Sequence, residues 1–187
     1  LLILLLLSLI ILFQFKFNAI LIGLASMPLI ILYPYMKRYT YWPQLFLGIV
    51  FSWGILIISI EFYNEINLYL LLLYFACINW TLAYDTIYAY QDREGDIKNK
   101  IKSTAVLFGT KGRQFVIIFY TIFFLVIAFL GYKSSNSFFS LLVIILFVFA
   151  MVLYLNKWKL ESSDSSNYYF KLNNYIGLFC FIFLIIF

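Results

Sequence analysis

Residues Ile66–Tyr90 read Ile-Asn-Leu-Tyr-Leu-Leu-Leu-Leu-Tyr-Phe-Ala-Cys-Ile-Asn-Trp-Thr-Leu-Ala-Tyr-Asp-Thr-Ile-Tyr-Ala-Tyr, with Asp85 as the one charged side chain. An α-helix rises about 1.5 Å per residue, so a run of this length spans the ~30 Å of a bilayer's hydrocarbon core. The apolar residues occupy every side of such a helix. Strands of a membrane barrel are about ten residues long and alternate in polarity, so this run does not fit one. The segment therefore reads as a transmembrane helix.

The same pattern recurs on both sides of it. Apolar segments are expected at roughly Leu1–Phe15, Asn18–Tyr35, Trp42–Ile60, Ile66–Tyr90, Gln114–Tyr132, Ser137–Asn156 and Leu172–Phe187. Of the 187 residues 65% are hydrophobic, 22% aromatic and only 11% charged, with a mean hydropathy of +1.00. Soluble domains carry about 25% charged residues, so a soluble fold is excluded, and so is disorder. The fold class is all-α, a polytopic transmembrane bundle of about seven helices, forming one domain over residues 1–187. Leu1 is not Met and already lies inside an apolar run; the chain is expected to lack its true N-terminus.

Charge alternates between the loops. Lys37 and Arg38, then Arg93, Lys98, Lys100, Lys102, Lys111 and Arg113, then Lys157, Lys159 and Lys171 occupy the even loops. Only Lys16 and Lys133, of thirteen basic residues, fall in odd ones. By the positive-inside rule the even loops face the cytoplasm. The net charge of +5 is thus a topology signal and no sign of nucleic-acid binding. The absence of histidine removes imidazole catalysis. Cys77 and Cys180 lie in apolar runs and read as buried thiols. Glu161–Asn167 reads as a short solvated loop.

Chemistry concentrates where the central helix leaves the membrane. Asp85, Asp92 and Asp96 stand at i, i+7 and i+11. On an uninterrupted helix they fall within about 20° of one stripe, flanked by Tyr88. Asp92 and Asp96 would be separated by about 6 Å of rise, close enough to repel unless a cation lies between them. Carboxylates without soft ligands suit Mg²⁺, which shares its shell with waters and phosphate oxygens. An acidic group at the depth of Asp85 is costly and reads as functional. Lys98, Lys100, Lys102, Lys37 and Arg38 on the same face could pair with a polyanionic phosphate. From these residues alone, a metal–phosphate site and a plain cytoplasmic loop both remain open.

Asp85-Thr-Ile-Tyr88-Ala89-Tyr-Gln-Asp92-Arg-Glu-Gly-Asp96 resembles the second aspartate motif of the UbiA-type prenyltransferases, D-x-x-Y-A-x-x-D-x-x-x-D. Ile101–Gly109, Tyr33–Thr40 with its Y-x-x-x-K element, Pro43-Gln44, Leu47-Gly48 and Asn173–Gly177 resemble the family too, most closely its 4-hydroxybenzoate polyprenyltransferase branch. The resemblance implies a nine-helix fold whose first two helices, and whose first aspartate motif, do not occur in this chain: no acidic residue precedes Glu61. It implies Asp92 and Asp96 as Mg²⁺ ligands, and Tyr33, Lys37, Arg38 and Lys102 as diphosphate-binding residues. Asp85 and Tyr88 are implied as pocket residues, and Asp92, Asp96 and Lys37 as the catalytic set.

The implied reaction moves a polyprenyl group from its diphosphate to the ring carbon ortho to the hydroxyl of 4-hydroxybenzoate, in ubiquinone biosynthesis. The implied cofactor is Mg²⁺. The implied partners are the two substrates and the lipid bilayer, with no nucleic acid and no obligate protein partner. The implied location is a bacterial inner membrane with the site on the cytoplasmic side, or a mitochondrial inner membrane. Haem O or menaquinone pathway enzymes of the same fold, a transporter, and a non-catalytic membrane remnant stand as alternatives. A transporter would favour broken or polar pairs at the membrane midplane.

Overall fold

The computed structural model describes residues 2–186, so the expected segment ends at Leu1 and Phe187 lie outside the described residues. Helices account for nearly all of it. An 11-residue helix, α1 (Leu2–Leu12), is followed by α2 (Phe17–Leu32), a 3-10 turn over Tyr33–Tyr35 and the short α3 (Met36–Tyr39). Next come α4 (Pro43–Phe51), α5 (Gly54–Tyr63) and the central α6 (Leu68–Ala89). The polar connection holds α7 (Arg93–Lys98) and α8 (Thr104–Phe108), and the chain ends with α9 (Gly112–Ser135), α10 (Phe138–Leu155), α11 (Ser163–Lys171) and α12 (Asn173–Ile186).

Among the described residues six helical stretches are long and apolar enough to cross a membrane. They are Phe17–Tyr39, Pro43–Tyr63, Leu68–Ala89, Thr104–Ser135, Phe138–Leu155 and Ser163–Ile186. The first apolar segment of the sequence forms only the shorter α1.

The core lies where α6 packs on α4, α9 and α11. Gly48 of α4 meets the main chain of α6 at Ile78, where an added Cβ would stand 3.1 Å from the carbonyl oxygen. Small residues let helix backbones approach closely where water supplies no hydrophobic drive. Aromatic rings fill the α6–α9 seam: Trp80 stacks on Phe123 at 5.3 Å, and Phe123 meets Phe124 at 4.9 Å.

The loops sort by end as the charge pattern predicts. At one end Lys16 donates from its main chain to Glu61 (2.7 Å), and Asn18 bonds Asn64 (3.2 Å). At the other end the Lys102 amide meets the Lys37 carbonyl, and Arg113 bonds the Trp158 carbonyl. Odd loops thus touch odd loops, and even touch even.

The central segment, expected over Ile66–Tyr90, is helical to Ala89, and the continuous helix that would put the three aspartates on one stripe does not form, because α7 begins at Arg93 after a turn. No proline or glycine breaks it. The Tyr90 hydroxyl instead anchors the turn by donating to the Gly109 carbonyl at 2.6 Å. The expected loop Glu161–Asn167 is mostly helical instead. Ser162 caps α11 by accepting from the Ser165 amide (3.1 Å), and buried Ser166 accepts from the Trp158 indole (3.0 Å). The Ser/Asp-rich segment is a helix start.

Candidate active site

Four short pieces of chain meet at the end of α6. Tyr33 sits in the 3-10 turn after α2, and Lys37 and Arg38 lie exposed on α3. Asp85 is half-buried on the last turns of α6, with Tyr88 exposed one turn on. Asp92 is exposed at the start of α7, its side chain free of any capping bond, and Asp96 is half-buried on the same short helix.

Lys37 links these pieces electrostatically. Its ammonium acts on the carboxylates of both Asp85 and Asp96, and Tyr33 in turn feels Asp85. Burial raises the Asp96 pKa above the ordinary carboxylate range, and the neighbouring Asp92 charge raises it further. A hydrogen bond from Ser103 and the Lys37 charge oppose that rise. Among the described residues Asp92 and Asp96 have no lysine or arginine in direct ion-pair contact.

The turn that carries these groups is built from its own main chain. After α7 the Ile101 amide bonds the Asp96 carbonyl (2.8 Å) and the Lys100 amide bonds that of Ile97 (3.2 Å). Lys100 adopts φ +56°. This is the Schellman closure of a helix, with lysine at the left-handed position where glycine is usual. The Lys102 amide then donates to the Lys37 carbonyl (2.9 Å), and its ammonium donates to the Tyr39 carbonyl (3.0 Å) and lies 5.6 Å from the Tyr41 ring centre.

Several supports were not singled out from sequence. Buried Gln44 accepts from the Thr104 amide at 3.2 Å, and the buried hydroxyls of Thr86 and Thr104 pair at 2.7 Å. Ser103 bonds Asp96 and also caps α8. A buried glutamine inside an apolar span was the available signal.

A cavity of about 760 Å³ opens beside Tyr84, the neighbour of Asp85. Phe51, Ile55, Ile58, Trp80, Phe170 and Leu178 supply much of its wall, and Asn173 is among its few polar groups. The Asn173 carbonyl oxygen accepts from the Trp80 indole (2.7 Å) and the Tyr120 hydroxyl (3.1 Å), which fixes the orientation of its amide. Tyr88 packs on Phe170 with ring centres 5.1 Å apart.

Among the described residues no three His, Cys, Asp or Glu side chains converge as a complete metal cage. A hard cation that keeps waters and phosphate oxygens in its shell needs only one or two carboxylates. The Asp92 charge acts on Asp96, so two neighbouring carboxylates offer oxygen donors of that kind. The site therefore fits such an ion as a partial ligand set.

Residues 1–182 match the model of the UbiA prenyltransferase family. The chain is 41% identical over 168 residues to the 4-hydroxybenzoate octaprenyltransferase of Francisella tularensis subsp. novicida, covering 89% of this chain and 59% of that protein. It is 37% identical over 185 residues to the protein of the same name from Blochmanniella pennsylvanica, covering 96% of this chain and 62% of that protein. The chain thus spans about 60% of the length of these relatives. No solved structure matches it.

Proposed function

Because the chain belongs to the UbiA prenyltransferase family, we propose that it serves the transfer of a polyprenyl group from its diphosphate to 4-hydroxybenzoate, ortho to the ring hydroxyl, in ubiquinone synthesis. The observation that carries this reading is the placement of Lys37 within electrostatic reach of Asp85 and Asp96, with a large apolar cavity starting at the next residue, Tyr84.

Asp92 and Asp96 are the residues that would hold Mg²⁺, which when bound neutralises charge on the diphosphate. Lys37 and Tyr33 face the leaving group and stabilise negative charge as it builds there. Arg38 adds a guanidinium donor for a phosphate oxygen. Lys102 holds α3 against the α7–α8 turn and keeps Lys37 in place. Asp85 and Tyr88 line the entry to the cavity. The polyprenyl tail lies along apolar walls, where Trp80, Tyr84 and Phe170 exclude water from an allylic cation and attract it through their ring faces. The ring of the acceptor attacks that cation and loses its proton. The proton leaves to water. The setting is a bacterial inner membrane, with the site on the cytoplasmic face.

The test is a membrane assay with a polyprenyl diphosphate, Mg²⁺ and 4-hydroxybenzoate, read by product mass. The expected product retains the carboxylate and the free hydroxyl and gains one prenyl chain. Transfer only to a menaquinone or haem precursor would overturn the acceptor assignment. Full activity after chelation would overturn the metal assignment.

A further inference from the structure

A second cleft lies on the same end of the bundle, behind the turn that carries Asp92. It has a volume of about 460 Å³ and lies between the start of α9 and the α10–α11 connection. Arg93, Arg113 and Lys159 converge on it, with the Thr110 and Ser162 side chains, and Glu161 is the one acid in its wall. Three cations against one carboxylate repel one another unless an anion sits among them.

The two guanidiniums are held in place by main-chain carbonyls. Arg113 donates through one Nη to the Trp158 carbonyl, and its Nε is buried with no partner. Arg93 donates through Nε to the Ala105 carbonyl (3.1 Å) and lies 5.9 Å from the Tyr90 ring centre. Fully buried Trp158, whose carbonyl holds Arg113, packs edge-on against Tyr90 at 5.2 Å. The 24-residue α9 begins at Gly112 with no side-chain cap on its first amides. Its N-terminal dipole adds positive potential to the cleft.

We infer that this cleft is a binding site for a phosphate anion, separate from the aspartate site. Planar guanidiniums recognise phosphate oxygens in paired hydrogen bonds, and a lysine at the rim adds charge. The cleft lies beside the start of α9 and beyond the end of α10, at the ends of two apolar spans, where the headgroups of a bilayer would stand. Basic pockets between helix ends at that level take the headgroups of anionic lipids. The phosphate is supplied either by such a lipid or by free phosphate.

The test follows the thermal stability of the intact chain in a neutral detergent while phosphatidylglycerol, phosphatidylcholine or inorganic phosphate is added. Phosphatidylglycerol is expected to raise the midpoint. Lys159→Glu, at an exposed position, is expected to weaken that response at least about tenfold, the loss of one charge-assisted bond. Lys157→Glu, on the same connection but outside the cleft, keeps it. A response to phosphatidylglycerol but not phosphate assigns the lipid headgroup, and equal responses to both assign free phosphate. An equal response to phosphatidylcholine, or a K159E response matching the parent's, overturns the site. The readout is independent of prenyl transfer, so its failure leaves the proposed reaction untouched, and the converse holds.

Discussion

The main-chain amide of Lys102 donates to the carbonyl oxygen of Lys37 at 2.9 Å, joining two basic loops that are 65 residues apart in sequence. That bond, with the Lys102 ammonium on the Tyr39 carbonyl, places α3 over the α7 turn. The two lysines are therefore unequal. Lys37 projects its charge toward Asp85 and Asp96, whereas the Lys102 ammonium is already engaged within the chain. Lys37→Gln is expected to lower kcat/KM about tenfold more than Lys102→Gln, a difference of ~1.4 kcal/mol. Steady-state assays of both variants check this.

Asp96 carries a cost in stability at neutral pH. Its pKa is raised, chiefly by burial, so the folded state holds that proton more tightly than the unfolded state. Stability contributed by the protonated form is present at low pH and is lost as pH rises through the raised value. Asp96→Asn is therefore expected to raise the thermal midpoint of the metal-free protein at neutral pH. It should give no gain at about pH 3, where the carboxyl is protonated in both states. Thermal scans at the two pH values decide it.

Lys100 closes α7 in the left-handed region, at φ +56°. A side chain there costs about 1–2 kcal/mol relative to glycine. Lys100→Gly is expected to stabilise the protein by roughly 1 kcal/mol, since glycine's greater freedom in the unfolded chain cancels part of the gain. Denaturation midpoints test the direction.

Gly112 lies directly under the Tyr90 ring, so an added Cβ would collide with the phenol. Gly112→Ala must push Tyr90 off the Gly109 carbonyl and away from Trp158. A loss of about 1–3 kcal/mol is expected. Tyr90→Ala removes the obstacle, so the double variant should lose less than the two singles combined. Additive losses would show that the contact is not what constrains position 112.

The helices were legible because long uncharged runs have few alternatives, and the alternation of basic loops predicted which ends meet. The aspartate stripe was legible as a cluster but not as a shape. Asp85, Asp92 and Asp96 share a face only on a continuous helix, and this one turns at Tyr90 because of a partner, Gly109, nineteen residues on. The polar run from Gln91 marks where the apolar segment ends but not the direction of the turn. The α11 helix was hidden because Ser, Asp and Asn favour turns; its burial comes from Ser166 and Tyr169 against Trp158. Gln44 and Thr104 lay inside recognisable blocks, but their pairing joins loops 60 residues apart.

In the proposed function Asp92 and Asp96 hold the Mg²⁺ that neutralises the leaving diphosphate. The most direct measurement is the rate of prenyl transfer to 4-hydroxybenzoate by Asp92→Asn and Asp96→Asn, each first shown to be folded by its thermal transition. Each variant is expected to lose about 10²–10³-fold in kcat. Rates within twofold of the parent's would contradict that role.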